Sequence, residues 1–213
     1  SSSSAASDVY KRQVWKMPQS DRIILTDVDG VLLEWEDHFS KWMATKGFPQ
    51  LENTEHEYDM SIRYGIHKDL SRELIREFNK SAWMSTQQPM PDAQTWIKLL
   101  HAEGWTFIPI TSQTSDIPAQ ELRKRRLAEL FGDTVFTNFF ILETGDHKDA
   151  ALAEFHGTGL WWVEDKWTNA KKGLEYGLRP LLYDHDYNQG LEDENIIRVN
   201  NWQHIHKIVD EKK

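Results

Sequence analysis

The sequence predicts an α/β fold in which helices cover both faces of a mainly parallel β-sheet. Short apolar segments rich in β-favouring residues recur along the chain, and helical segments lie between them. This alternation is typical of βαβ units, which place their strands parallel in one sheet. Polar residues follow several of the apolar segments directly, at the position where open α/β sheets bind their ligands. The 213 residues suffice for one such core and a smaller insertion.

The strands are predicted from runs of β-branched and aromatic residues bounded by turn residues. The first covers residues 23–28, and the second covers residues 105–111 after a helix that begins near Asp92 and stops near Gly104. Further strands are predicted at residues 135–142, 160–164, 179–184 and 195–199, with helices at 119–131, 148–155 and 169–176 and at the end of the chain. Together these elements predict a three-layer, Rossmann-like core.

The interval between the first two strands departs from this rhythm. A parallel crossover needs only about a dozen residues, whereas here the longer, mainly helical stretch 35–88 intervenes. We therefore expect residues 35–88 to form a small helical cap, inserted into a core made of residues 21–34 and 89–213. Residues 1–20 begin with a Ser-rich stretch without the apolar segment of a signal peptide, and we expect a disordered tail that need not be native.

The composition favours some classes of function over others. A formal net charge of −9 disfavours a binder of nucleic-acid polymers or anionic membranes, because no broad positive field would attract polyanions. A small phosphorylated substrate is compatible with this charge, since a metal ion and a local lysine can override it. The chain has no cysteine and no apolar run of membrane-spanning length, so a cytoplasmic protein without thiol chemistry is the default expectation.

Polar residues cluster where four of the predicted strands end. Each group has an ordinary explanation when taken alone: an Asp-Gly turn, hydroxyl caps, a first-turn lysine and an acidic helix start. Their joint occurrence at strand ends instead predicts one site at the carboxyl edge of the sheet. The candidates are Asp27 and Asp29 after the first strand, Thr111 and Ser112 after the second, Lys148 after the third, and Glu164 and Asp165 after the fourth.

The chemistry of this set indicates a divalent metal and a phosphate group. Asp27 and Asp29 are two residues apart on an extended chain, so their like charges converge and need compensation. Oxygen ligands without cysteine or paired histidine suit Mg²⁺. A hydroxyl and an ammonium group beside the metal could hold the oxygens of a transferring phosphoryl group, where negative charge develops.

In these four motifs the chain resembles the phosphohydrolases of the haloacid dehalogenase (HAD) superfamily, from about Arg22 to the last helix. The stretch DVDGV resembles the first motif, which implies that Asp27 is the nucleophile and Asp29 the general acid and base. The other motifs imply the roles of the remaining residues: phosphate binding for Thr111, Ser112 and Lys148, and an Mg²⁺ shell of Asp27, Asp29, Glu164 and Asp165, with Asn169 in the place of an Asn that often follows.

The fourth motif departs from the common family pattern, because Glu164 precedes Asp165 where Asp-Asp is frequent. Which of the two carboxylates binds the metal directly therefore stays open. Asp29 favours a phosphatase over a dehalogenase, which lacks this second acid. Phosphonate hydrolysis stays open too, because the predicted cap contains lysines that such chemistry requires.

A weaker resemblance links the chain to the 5'-deoxyribonucleotidase group, which has a C1-type cap. It rests on the tail LLYDHDYNQG, on the pair Thr111-Ser112 and on aromatic residues soon after the first motif. It implies a nucleoside monophosphate stacked on Trp35, Phe39 and Trp42, although their i, i+4, i+7 spacing equally fits a cap core. The sequence thus predicts an Mg²⁺-dependent phosphomonoester hydrolase. The alternatives are a phosphatase of another metabolite such as a sugar phosphate, a phosphonate hydrolase, a phosphotransferase and a non-catalytic nucleotide-binding protein; the oligomeric state is not indicated.

Overall fold

The computed structural model describes residues 21–211, and their strands and helices form the predicted α/β fold. Six strands make one sheet in the order β3-β2-β1-β4-β5-β6, and each neighbouring pair is parallel. The strands are β1 (Ile23–Thr26), β2 (Thr106–Ser112), β3 (Phe140–Leu142), β4 (Trp161–Glu164), β5 (Arg179–Tyr183) and β6 (Ile197–Val199). The predicted fold class is confirmed. The tail predicted at residues 1–20 lies outside the described residues.

Eight α-helices lie within residues 21–211. They are α1 (Trp35–Thr45), α2 (Met60–Tyr64), α3 (Lys68–Lys80), α4 (Ala93–Ala102), α5 (Ile117–Phe131), α6 (Asp149–Ala153), α7 (Trp167–Glu175) and α8 (Trp202–Glu211), and two short 3₁₀ helices occupy Ala82–Ser85 and Asp186–Asn188. In the part of the chain that the structure describes, every helix is too short or too polar to cross a bilayer.

Both faces of the sheet are buried, as expected for a parallel sheet covered by helices. Successive side chains of a strand point to opposite faces, and β1 shows this directly. Ile24 packs into a cluster with residues of α4, α5 and α8, whereas Ile23 and Leu25 pack into a second cluster with residues of α6. The two clusters fix β1 at the centre of the sheet, so the residues that follow it are held by the core.

Two predicted strands are shorter in the structure. β1 ends at Thr26 because the chain turns at Val28, whose carbonyl accepts hydrogen bonds from the backbone N–H groups of Leu32 and Leu33. β3 covers only Phe140–Leu142 instead of residues 135–142. Phe136 pairs with Phe107 in an isolated bridge, but Asn138 has a φ of +50° and interrupts the extended backbone between the two stretches.

The helices between β1 and β2 have a hydrophobic cluster of their own. Phe39, Trp42, Phe78 and Met84 are among its buried members, and Leu122 of α5 packs against it from the core. Phe78 packs edge-on against Phe39, with ring centroids 5.3 Å apart. This cluster supports the helical character predicted for residues 35–88; the division into cap and core stays a prediction.

Candidate active site

The carboxyl edge of the sheet opens into a cleft of about 730 Å³. This volume lies in the range of small-molecule sites. The walls of the cleft come from the segments after β1, β2, β3 and β4 and from α3 above them. Of the residues predicted to form the site, those that line the cleft are Asp27, Asp29, Trp35, Ser112, Lys148, Glu164, Asp165 and Asn169.

Three carboxylates and one lysine meet at the floor of this cleft. Asp27, Glu164 and Asp165 each place one carboxylate oxygen within 4.8 Å of the others. Lys148 Nζ lies 2.9 Å from Asp27 Oδ2 and donates a hydrogen bond of 2.8 Å to Glu164 Oε2. β1 and β4 are neighbours in the sheet, and this pairing brings residues 27 and 164 together. The predicted gathering of these four side chains at one point is therefore present.

Burial dominates the electrostatics of this cluster, because it penalises the charged form of each carboxyl group. Burial, reinforced by Glu164 and partly offset by Lys148, raises the pKa of Asp27 to about 8. Burial and then the charge of Asp27 raise the pKa of Asp165 to about 6. Burial also raises the pKa of Glu164. Burial lowers the pKa of Lys148, but Asp27 and Glu164 outweigh it and the net pKa is raised.

The hydrogen bonds distinguish Glu164 from Asp165. Glu164 Oε1 accepts the backbone N–H groups of Asp165 and Lys166, and its Oε2 accepts Lys148. Both oxygens of Glu164 are therefore engaged. Asp165 Oδ2 accepts a hydrogen bond from the Tyr187 hydroxyl, which orients the carboxylate and leaves Oδ1 for another partner. Glu164 therefore holds Lys148, whereas Asp165 keeps one oxygen outside these hydrogen bonds.

Gly30 is required by the close packing around Asp165. It has a φ of +72°, in the left-handed region that favours glycine. A Cβ atom at this position would lie 2.5 Å from Asp165 Oδ2 and 3.0 Å from the Tyr187 hydroxyl. The His185 ring nitrogen Nε2 donates to the Gly30 carbonyl at 2.6 Å. The Asp-Gly pair is therefore more than a turn signal, because the glycine makes room for the acid cluster.

Asp29 lines the cleft, but its carboxylate is not one of the three that converge. Instead, Arg123 of α5 donates a hydrogen bond to each of its oxygens, from Nη1 to Oδ2 at 3.0 Å and from Nη2 to Oδ1 at 2.8 Å. The Asp29 carboxylate thus lies outside the cluster of three acids, where the buried guanidinium of Arg123 pairs with it. Its assignment to an Mg²⁺ shell stays a prediction.

The two predicted hydroxyl groups have different surroundings. Ser112 lines the cleft, and its hydroxyl donates to the Asp146 carbonyl at 2.9 Å. Thr111 is 1% exposed and does not line the cleft. Its hydroxyl is buried without a hydrogen-bond partner among residues 21–211, which is uncommon for a buried polar atom. The assignment of both residues to phosphate binding stays a prediction.

The three aromatic residues predicted for the substrate pocket do not share one location. Trp35 lines the cleft, and its Nε1 donates to Asn79 Oδ1 at 3.0 Å. Phe39 and Trp42 are buried in the hydrophobic cluster of the helical insertion, so the prediction that they line a pocket is wrong. The spacing of Phe39 and Trp42 places both on the buried face of α1. Trp35, at the start of the helix, reaches the cleft and stacks on Phe39 with ring centroids 4.6 Å apart.

Three features in or behind the cleft have roles that the sequence did not predict. Arg123 occurs within the basic stretch RKRR, which is typical of a solvated helix face. Tyr187 lies in the tail DHDYNQG, whose resemblance gave no role to this residue. Lys68, Arg72 and Arg76 line the cleft from α3; their spacing of four residues is a usable signal, because it places all three on one helix face.

The comparisons with known proteins agree on the fold. A curated protein of Clostridium acetobutylicum, named a nucleotidase, is 27% identical over 196 residues, which cover 88% of this chain and 93% of the relative. Among solved structures, a protein described as a predicted phosphatase from Clostridium acetobutylicum matches with a TM-score of 0.63 at 14% identity, covering 89% of this chain and 98% of that chain. No family model matches the chain.

Two further solved structures match over nearly their whole length. A predicted phosphoglycolate phosphatase from Haemophilus somnus gives a TM-score of 0.60 at 12% identity, covering 90% of this chain and 100% of that chain. A D,D-heptose 1,7-bisphosphate phosphatase from B. bronchiseptica, complexed with magnesium and phosphate, gives 0.54 at 15% identity, covering 90% and 99%. At such identities the likeness establishes the fold.

The sheet order and the buried acid cluster define a Rossmann-like α/β protein with its candidate site at the carboxyl edge. Within that class, the chain has the fold of the HAD superfamily. Its structural relatives include phosphatases and an L-2-haloacid dehalogenase of that superfamily. The resemblance inferred from the four motifs is confirmed at the level of the fold.

Proposed function

We propose that the protein is an Mg²⁺-dependent phosphomonoester hydrolase in which Asp27 is the nucleophile. The observation that carries the proposal is the contact of Lys148 with both Asp27 and Glu164, beside Asp165, at the floor of the cleft. A buried lysine among three carboxylates leaves an excess of negative charge. Burying uncompensated negative charge destabilises the folded protein unless a further cation neutralises it. Clusters of buried charged groups of this kind are frequent in active sites.

The donor set fits Mg²⁺. Three carboxylate oxygens within 4.8 Å of one another are hard ligands, and they would be supplemented by water and substrate oxygens. Asp27 and Asp165 would hold the ion, and Glu164 would keep Lys148 in place through its hydrogen bond of 2.8 Å. When bound, Mg²⁺ would offset the repulsion among the carboxylates and screen the approach of an anionic phosphate.

The side chains then support a two-step hydrolysis. In the first step, an Asp27 carboxylate oxygen forms a bond to phosphorus, the ester P–O bond breaks, and Asp29 donates a proton to the departing oxygen. In the second step, water bonds to phosphorus and gives its proton to Asp29, while the bond to Asp27 breaks and inorganic phosphate leaves. Lys148 holds Asp27 in place throughout and contributes positive charge where the phosphoryl oxygens gather.

We further propose that residues 35–88 act as a cap that selects the substrate, and that the substrate is a nucleoside monophosphate. Three observations support this class. The Clostridium relative is named a nucleotidase, and Trp35 and Tyr58 offer aromatic surface in the cleft for a base. Lys68, Arg72 and Arg76 extend along the cleft wall as cations that attract an anionic substrate. Small phosphorylated metabolites are thus the expected partners.

The proposal is tested with a panel of nucleoside monophosphates, sugar phosphates and phosphonates, assayed with Mg²⁺ and with chelator. We expect Mg²⁺-dependent release of phosphate that is fastest for a nucleotide. Asp27→Asn should reduce turnover by at least about 10⁴-fold, because the nucleophile is lost. Asp133→Asn is the matched control, since Asp133 is exposed and does not line the cleft. Undiminished turnover by Asp27→Asn would remove the nucleophile assignment.

A further inference from the structure

Arg123 is a buried cation whose main partner is Asp29. Its side chain is 1% exposed, whereas that of Asp29 is 23% exposed and reaches the cleft. The two residues are 94 positions apart, so the contact ties α5 to the turn after β1. Two parallel N–H···O bonds, at 3.0 and 2.8 Å, fix both the position and the rotation of the carboxylate.

The same guanidinium also reaches the segment that leads out of the helical insertion. Arg123 Nη2 donates to Gln87 Oε1 at 3.0 Å and lies 3.4 Å from Met84 Sδ. Gln87 and Met84 are both fully buried. The segment around Met84 and Gln87 therefore holds the guanidinium on one side, and the guanidinium faces Asp29 on the other. Arg123 itself does not line the cleft, so any effect it has on a substrate must pass through Asp29.

This geometry leaves Asp29 free to act on the cleft side. A carboxylate has two lone pairs on each oxygen, and the guanidinium uses one on each. The remaining lone pairs can exchange a proton with a group in the cleft while the carboxylate stays fixed. A lysine at this position would supply a point charge without the planar fork, so it would not define the rotation of the carboxylate.

We propose that Arg123 is a positioning residue that sets the orientation in which Asp29 protonates the departing oxygen of the substrate. The inference rests on the proposed phosphatase function and deepens it. The P–O bond to the leaving group breaks as the bond from Asp27 forms, and the proton moves from Asp29 to the leaving oxygen. Without the guanidinium, Asp29 can still donate a proton, but its carboxyl group is no longer held in the productive orientation. The rate should fall most for substrates whose leaving oxygen is most basic.

The test compares two substrates, an alkyl phosphomonoester and p-nitrophenyl phosphate. Nitrophenolate departs with little help from an acid, whereas an alkoxide needs a proton. For Arg123→Met we expect kcat/KM to fall about 100-fold with the alkyl ester and less than about 5-fold with the aryl ester. A role confined to folding would lower both by the same factor, and that result would overturn the inference.

Two further variants sharpen the comparison. Arg126→Gln is the matched control, because Arg126 is on the same helix and its Nε donates to the Gln87 carbonyl at 2.8 Å, yet it has no contact with Asp29 among the described residues. We expect it to change both rates by less than about 3-fold. In an Asp29→Asn background, Arg123→Met should cause no further loss with the alkyl ester, since both act through one group. Additive losses would contradict the inference.

Arg123→Met removes a buried charge, so folding is checked by circular dichroism and by the melting temperature. If it does not fold, Arg123→Lys carries the same comparison, because it keeps the charge and loses the fork; we expect a smaller but still selective loss with the alkyl ester. A wild-type protein that hydrolyses neither ester with Mg²⁺ would overturn the proposed function, and this inference with it. A wild type active on both esters, with equal losses in the variant, would overturn this inference alone.

Discussion

The floor of the cleft and the face of α3 above it differ in how their charges are held. On the floor, Lys148 is 4% exposed and lies within 3 Å of two carboxylates. On α3, the side chains of Lys68 and Arg72 are 68% and 67% exposed, and their ion pairs are 3.8 and 3.5 Å long. Charges in low dielectric interact strongly and keep one geometry, whereas exposed pairs contribute little.

This difference separates the two tasks that the protein must perform under the proposed function. Chemistry needs groups fixed to within a fraction of an ångström, and the core supplies them from β1, β4 and the start of α6. Recognition of a substrate tolerates mobile side chains, which can close around it after it arrives. We therefore expect substitutions on the floor to alter stability and catalysis together, and substitutions of the exposed cations on α3 to alter only substrate affinity.

The largest effect is expected for Lys148→Met. The substitution leaves Asp27 and Glu164 buried without their shared cation, and breaking a buried pair costs about 3–5 kcal/mol. Urea unfolding should show this loss in the free energy of unfolding, and phosphatase activity should fall with it. Lys172→Met is the control, because the Lys172 side chain is 41% exposed. Equal stability of the two variants would contradict the distinction between the floor and the surface.

Gly30→Ala should damage the site with a smaller effect on the fold. At Gly30 and at Gly47, with φ of +72° and +82°, alanine carries the same backbone cost of about 1–2 kcal/mol. Only at Gly30 does the new Cβ meet Asp165, at 2.5 Å. At Gly47, no described atom beyond the chain neighbours lies within 4 Å of the new Cβ. We expect Gly30→Ala alone to weaken Mg²⁺ binding about 10- to 100-fold, measured by calorimetry. Gly47→Ala is the control. Equal Mg²⁺ affinity of Gly30→Ala and Gly47→Ala would show that the close packing at Asp165 has no role in metal binding.

The raised pKa values predict how stability depends on pH and Mg²⁺. Burial raises the pKa of Asp27 to about 8 and that of Asp165 to about 6, so the folded protein holds more protons than the unfolded chain between about pH 4 and 8. In the presence of chelator, the contribution of Asp27 and Asp165 to the free energy of unfolding should be greatest below pH 4. It should be lost as the pH rises through 6 and 8. Because Mg²⁺ needs the ionised carboxylates, its gain in melting temperature should be larger at pH 8 than at pH 5.5. A gain independent of pH would refute this linkage.

The smallest effect is expected on α3. Arg76 is exposed and lines the cleft, so Arg76→Ala should change the free energy of unfolding by less than about 0.5 kcal/mol. The KM for a nucleotide should rise about 3- to 10-fold, and the rise should shrink at high salt because the attraction is screened. Arg125→Ala is the control, since Arg125 is exposed on α5 and does not line the cleft. A change in kcat instead of KM would place Arg76 in the chemistry.

The sequence by itself determined the fold class and the position of the candidate site. Alternating strands and helices predict a parallel sheet, and the strand-end rule then selects Asp27, Lys148, Glu164 and Asp165 as neighbours. These predictions succeed because they depend on local patterns and on a general property of parallel sheets, in which the carboxyl ends of all strands meet at one edge. Helix spacing likewise indicated that Phe39 and Trp42 could belong to a core.

Only the tertiary structure decided which side chains complete each other at that edge. Arg123 pairs with the carboxylate of Asp29 outside the cluster of three acids, and Tyr187 orients Asp165. Phe39 and Trp42 pack inward, while Trp35 reaches the cleft. No local pattern predicts these contacts, because each joins residues far apart in sequence or depends on which face of a helix meets the core. The energy of a buried charge depends on its partners in space, and those partners are chosen by packing.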